Sequence, residues 1–194
     1  NRDEPLDMRM DVRSDVTAAD LVASMDEREL AQTFSRYGEE RWAARIARHL
    51  VAQRQTLSVT TSGQLARLVS EAVPAAAARK QKIHPATRVF MALRIAVNRE
   101  LEVLDRFLET AVDLLNPGGR LCVLSFHSLE DRIVKHRFRT LAHPCTCPPT
   151  FPQCVCGRQA RVRLLTRKVL RPTDAEIRKN PMARSTRLRA VEAL

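Results

Sequence analysis

Between Pro85 and Asn116 apolar residues recur by threes and fours, at Phe90, Leu93, Val97, Leu101, Leu104, Leu108, Ala111 and Leu115. Positions so spaced share one helix face, which predicts a long amphipathic helix from about Ala86, or two helices end to end. Asn116-Pro117-Gly118-Gly119 stops it. The apolar run that follows, from Leu121 to Phe126, has the length of a strand. Residues 120–126 are therefore expected as a buried strand covered on both faces, with Cys122 a small core residue. Ser128 is the expected cap of the next helix, with Asp131 at its third position.

Earlier in the chain the pattern breaks into shorter helices whose starts are marked by a side-chain oxygen and an acid or amide three residues on. Thr17 with Asp20, Asp26 with Glu29, and Thr61 with Gln64 have this spacing. Leu30, Phe34 and Tyr37 then share a face that Gly38 is expected to end. Trp42, Ile46 and Leu50 share another, beside a stripe of Arg41, Arg45 and Arg48 best read as a solvated face. Leu65, Leu68, Val69 and Ala72 form a third, closed by Pro74, and residues 75–82 are expected to be a linker. Near the end, Val162 to Leu170 is a strand candidate and Thr173 with Glu176 starts a short helix. The segment from Ala183 to Val191 fits either strand or helix. A helix, a Gly turn, an apolar strand, a polar loop and a further helix in that order are the rhythm of an α/β sheet.

Composition changes the picture in one respect. The 194 residues are 44% hydrophobic, enough for a globular core, and no run of about 18 apolar residues or signal-like segment appears, so a soluble, cytoplasmic chain without membrane contact is expected. The net charge is +11, but Arg132 to Arg189 alone carry +13, leaving the remainder near −2. Charge gathered in one third of a chain favours a polyanionic partner over general arginine usage, and Arg161, Arg163, Arg167 and Lys168 are the expected RNA contacts. Aromatic residues are too few there for a base-stacking platform.

Titratable groups crowd at Ser125-Phe126-His127-Ser128-Leu129-Glu130-Asp131-Arg132, the C-terminal end of the expected strand, where open α/β sheets bind ligands. The bland alternative is helix capping with surface charge. A Ser-His-Asp hydrolase lacks its Gly-x-Ser-x-Gly turn. Arg94 and Asn98, one helical turn apart, are expected to line a cleft with His84 and Arg88. Cys145-x-Cys147 and Cys154-x-Cys156 flank a Pro-rich loop. The spacing is tighter than that of zinc ribbons, and zinc, reduced surface thiols and a redox-labile pair all remain open, so no metal ligand is assigned. The five glycines form no Gly-x-Gly loop for a nucleotide-like cofactor.

Several blocks together resemble one family. Leu6-Asp7-Met8-Arg9-Met10-Asp11, His84-Pro85-Ala86-Thr87-Arg88, Ala92-Leu93-Arg94-Ile95-Ala96-Val97-Asn98, Pro117-Gly118-Gly119-Arg120, the Ser125 to Arg132 block, Asn180-Pro181, Arg184-Ser185 and Leu188-Arg189 follow, in order, the MraW/RsmH family of S-adenosylmethionine-dependent ribosomal RNA methyltransferases. The resemblance covers nearly the whole chain and implies an α/β fold: a Rossmann-like class I methyltransferase core interrupted by an inserted all-helical domain. Residues 1–12 would end the first core segment, 13–84 would be the insert, and 85–194 the returning core with its basic C-terminal region. It implies methylation of the N4 amino group of a cytidine in the decoding region of small-subunit ribosomal RNA. Ser125, His127 and Glu130 are the expected catalytic group, with Arg94 and Asn98 among the substrate contacts. The chain opens at Asn1 rather than at a methionine, so the donor site is expected upstream and the chain alone is expected to be inactive. The rival reading is a non-catalytic RNA-binding or ribosome-assembly module.

Overall fold

In a computed structural model, residues 3–80, 83–148, 150–151, 153 and 155–194 are described, and they form two compact units that divide between Glu100 and Leu101. The first unit is helical: α1 (Ala18–Ser24), α2 (Glu27–Gly38), α3 (Ala43–Gln53), α4 (Ser62–Ala72), α5 (Ala75–Lys80) and α6 (Ala86–Asn98). The three expected capping boxes start α1, α2 and α4, each side chain taking an early backbone N–H while the third helical residue returns the bond. Two expectations change here. Residues 75–80 are helix rather than linker, their first amides closing on the carbonyl of Pro74. Gly38 is the last helical residue of α2, and the left-handed position after it is Glu39. The glycine is there for room, because a Cβ on it would lie 2.7 Å from the carbonyl oxygen of Arg88. That absence lets α2 pack closely on α6, around a core built on Leu30, Phe34, Ile46, Leu50, Leu65 and Leu93.

The long apolar pattern is two helices. α6 ends at Asn98, Arg99 turns left-handed, and α7 (Glu100–Ala111) begins at once.

The second unit holds most of α7, then β1 (Arg120–Ser125), α8 (Ser128–Ala142), β2 (Val162–Leu164), α9 (Asp174–Lys179) and β3 (Arg187–Ala193). The three strands form an antiparallel sheet in the order β1-β3-β2, with Arg120 opposite Glu192, Ser125 opposite Arg187 and Leu164 opposite Val191. The last segment, open between strand and helix in the sequence, is thus the central strand. The expected strand from Val162 shortens to three residues, with Leu170 returning as a single bridge to Leu188. α8 packs against all three strands and covers one face, where Phe138, Val134 and Leu141 meet Val162 and Val191. β1 is therefore not covered on both faces. Its inward residues alternate with exposed Cys122 and Leu124, the latter 56% exposed, so Cys122 is a surface residue rather than a core one. The chain is α/β, and among the described residues no helix is long and apolar enough to cross a membrane.

Candidate functional site

The block from Ser125 to Asp131 spans the exit of β1 and the first turn of α8. Ser128 is not the cap of that helix. His127 is, its Nδ1 accepting from the Glu130 amide at 3.3 Å while Glu130 Oε2 accepts from the amides of His127 (3.2 Å) and Phe126 (2.7 Å). A neutral imidazole that accepts at Nδ1 carries its proton on Nε2. That atom lies 3.2 Å from Glu130 Oε1 without hydrogen-bond alignment, and it is buried with no other hydrogen-bond partner among the described residues. Burial pushes the Glu130 carboxyl up, but His127 and the two amides outweigh it and hold the group below its ordinary value. Ser125 is buried and its Oγ donates to the Arg187 carbonyl at 3.4 Å. Of the expected catalytic group, His127 and Glu130 are bonded to each other, with the Glu130 carboxylate occupied in holding the loop, while the bond of Ser125 goes to the β3 backbone.

Asp131 does more than start a helix. Arg189 of β3 reaches it through Nε (2.7 Å) and Nη2 (3.1 Å), a planar fork on a carboxylate with 11% and 16% of the two side chains exposed. The pair ties α8 to the central strand beneath the block.

Beside it opens a cavity of about 490 Å³ lined by Lys135, Phe138, Arg139, His143, Leu164, Arg167 and Arg189. Among the described residues no carboxylate lines it. Lys135 and Arg139 of α8 and His143 just past its end recur every four residues, a basic stripe legible in the sequence, and Arg167 joins them in the lining from beyond β2. Of the other expected RNA contacts, Arg161 pairs with Asp113, and Arg163 pairs with Glu192 at 2.6 Å, which Arg120 also reaches at 3.2 Å. Lys168 is exposed.

In the first unit, Arg94 and Asn98 have structural work. Arg94 forks onto Glu100 at 2.8 and 2.9 Å. Asn98 accepts from the Met10 amide (2.8 Å) and donates to the carbonyls of Met8 (2.9 Å) and Arg94 (2.8 Å), clamping the Leu6 to Asp11 block onto the end of α6. Met8 is left-handed in that loop, and Arg9 forks onto Asp7, holding its carboxyl down at about 2. His84 caps its own turn through Ala86, and Arg88 lies 3.8 Å from the buried Glu40.

The description of the MraW methylase family matches residues 1–194. A protein named ribosomal RNA small subunit methyltransferase H from Desulforapulum autotrophicum is 59% identical over 187 residues, which are 96% of this chain and 60% of that protein. Its namesakes from Desulfosudis oleivorans and Halothermothrix orenii are 59% and 48% identical over 191 residues, 98% of this chain and 61% of each. The chain spans about three-fifths of the length of these relatives.

Proposed function

The chain belongs to the MraW methylase family, and from that premise we propose that it is part of a cytoplasmic enzyme that transfers a methyl group from S-adenosylmethionine to N4 of a cytidine in the decoding region of small-subunit ribosomal RNA. The observation that carries this reading is the match to relatives of that name along the whole chain. The β1–α8 junction is the proposed edge of a Rossmann-like core, and residues 13–84 its helical insert.

The residues present do not fit the methyl donor. Among the described residues the glycines lie apart or in the single turn at Gly118 and Gly119, and the carboxylates of Asp7, Glu130 and Asp131 are already held by Arg9, by the α8 cap and by Arg189. In this reading the donor is bound by the part of the relatives' length that this chain does not span.

What this chain contributes is the base and the backbone. The N4 lone pair of cytosine is delocalised into the ring, so placement of the base governs its reactivity. A base docked at the block would give the Nε2 proton of His127 a partner, and Ser125 Oγ a better one than a carbonyl at 3.4 Å. Glu130 positions His127. Lys135, Arg139 and Arg167 hold phosphates in the adjoining cavity, and the exposed Lys168 follows Arg167 in the chain.

Methyl transfer to isolated small ribosomal subunits, with labelled donor and nucleoside mass spectrometry, tests the reading. The protein extended to its relatives' length should label one cytidine at N4, while residues 1–194 alone should show neither transfer nor donor binding by calorimetry. Label on another base overturns the substrate, and micromolar donor binding by residues 1–194 overturns the placement of the donor site. Subunit binding by the extended protein without transfer would point instead to an assembly module.

A further inference from the structure

We propose that Cys145, Cys147 and Cys156 bind a zinc ion whose role is to organise the long loop between α8 and β2. The three sulfur atoms all lie within 4.8 Å of one another. Thiolates about 2.3 Å from a tetrahedral zinc sit about 3.8 Å apart, so the cluster needs at most a small contraction to take the ion. Two backbone features point the same way. The amide of Val155 donates to Cys147 Sγ at 3.4 Å, a bond that supports a sulfur carrying negative charge. Gly157, directly after Cys156, is left-handed (φ 62°) with nothing within 4 Å of where a Cβ would stand, so the chain turns sharply around the last sulfur.

The loop itself requires an organiser. The Arg161 amide bonds the Leu141 carbonyl at 2.9 Å, pinning the ends together, and no helix or strand is assigned to the described residues between His143 and Arg161. Loops of that length without secondary structure are uncommon in compact domains, and an ordered one needs something to hold it. Apolar burial does not do it here, since Phe151 is 51% exposed and Val155 74% exposed. The side chains that do converge are the cysteines. Soft thiolate ligands select zinc over the hard cations, and zinc needs no redox partner. The Cys-x-Cys spacing, which in the sequence argued against a ribbon-type site, is no obstacle once Cys156 arrives from the far side of the loop. Three ligands leave a fourth tetrahedral position. Cys154 lies outside the described residues.

The chain is purified under reducing conditions from zinc-supplemented cells and its metal determined by plasma mass spectrometry. About one zinc per chain is expected, falling to background in Cys147→Ser and unchanged in Cys122→Ser, whose sulfur lies on the open face of β1. To separate loss of the ion from a loosened fold in Cys147→Ser, the wild-type protein is tested in parallel. A chelator should remove the zinc and raise hydrogen exchange across residues 143–161, zinc should restore protection, and cobalt in its place should show thiolate charge-transfer absorption. Absence of zinc, iron in its stead, oxidised cysteines by thiol titration, or full zinc content in Cys147→Ser would each overturn the proposal. None of these readouts depends on methyl transfer.

Discussion

The two units of the chain stabilise themselves by different means. Among the described residues, the first packs nineteen buried apolar side chains into one cluster between six helices, while the second gathers eight between a helix face and a three-stranded sheet. The second also joins its elements through ion pairs, of which Arg189–Asp131 is the best shielded. Arg189–Asp131, Arg137–Asp105, Arg161–Asp113 and the Arg163–Glu192–Arg120 set all cross between its elements. A small core joined by ion pairs can present a basic surface that a larger apolar one would not, and the basic cavity lies on this unit.

The sharpest way to break that contrast is to cut each core at its phenylalanine. Phe34→Ala and Phe138→Ala each remove a fully buried ring, a loss of about 3–5 kcal/mol. Hydrogen exchange should show the first unit still protected without Phe34, and the second opened throughout without Phe138. Equal residual protection in both would mean that the cores do not differ as described. Next in size, Asp131→Asn leaves the Arg189 guanidinium largely buried without its counter-charge and should cost about 3 kcal/mol in thermal or denaturant unfolding. Asp11→Asn, at an exposed pair with Arg13, should barely register.

Replacing Lys135, Arg139 and Arg167 together with Gln should weaken binding to small-subunit RNA by about tenfold or more and lower the salt slope by about 2 to 3. The same change at Arg161 and Arg163 should do less, because those guanidiniums are already paired; a larger effect there would move the interface. A modest effect concerns Glu130. Its folded carboxyl is held below the ordinary value of 4.5, so its stabilisation is present above that value and lost as pH falls through the lower folded one. Glu130→Ala should cost about 1 kcal/mol and abolish that acid step. A carboxyl-carbon titration by NMR that finds Glu130 at or above its ordinary value refutes the cap.

What was legible in the sequence follows how local each device is. The Thr17, Asp26 and Thr61 caps join residues three apart, so spacing alone reveals them. α5 escaped because its Ala-rich turn has no apolar stripe. The His127 cap escaped because imidazole is an unusual N-cap, though Glu130 at the third position was the clue. The apolar run of β1 showed a strand but not its neighbours, which come from residues 62 to 72 positions away. Asn98 shared a helix face with Arg94 as expected, yet its amide is used on Met8 and Met10, some ninety residues earlier, and no spacing rule reaches so far. The clustering of charge after Arg132 was visible, whereas the internal pairing of Arg161 and Arg163 was not.

The central place of β3 also sets an order of events during synthesis. Among the described residues β1 and β2 do not pair with each other, and each finds its strand partner in residues 187–193. Among the described residues the core of the helical unit is complete once residue 100 has emerged, and helix packing is fast to form. The sheet must wait for nearly ninety more residues, and until then the apolar edge of β1, with Leu124 and Phe126 uncovered, is an open template for mispairing. Slowing translation after residue 125 should therefore lengthen chaperone engagement of the second unit while leaving the folding of the first untouched.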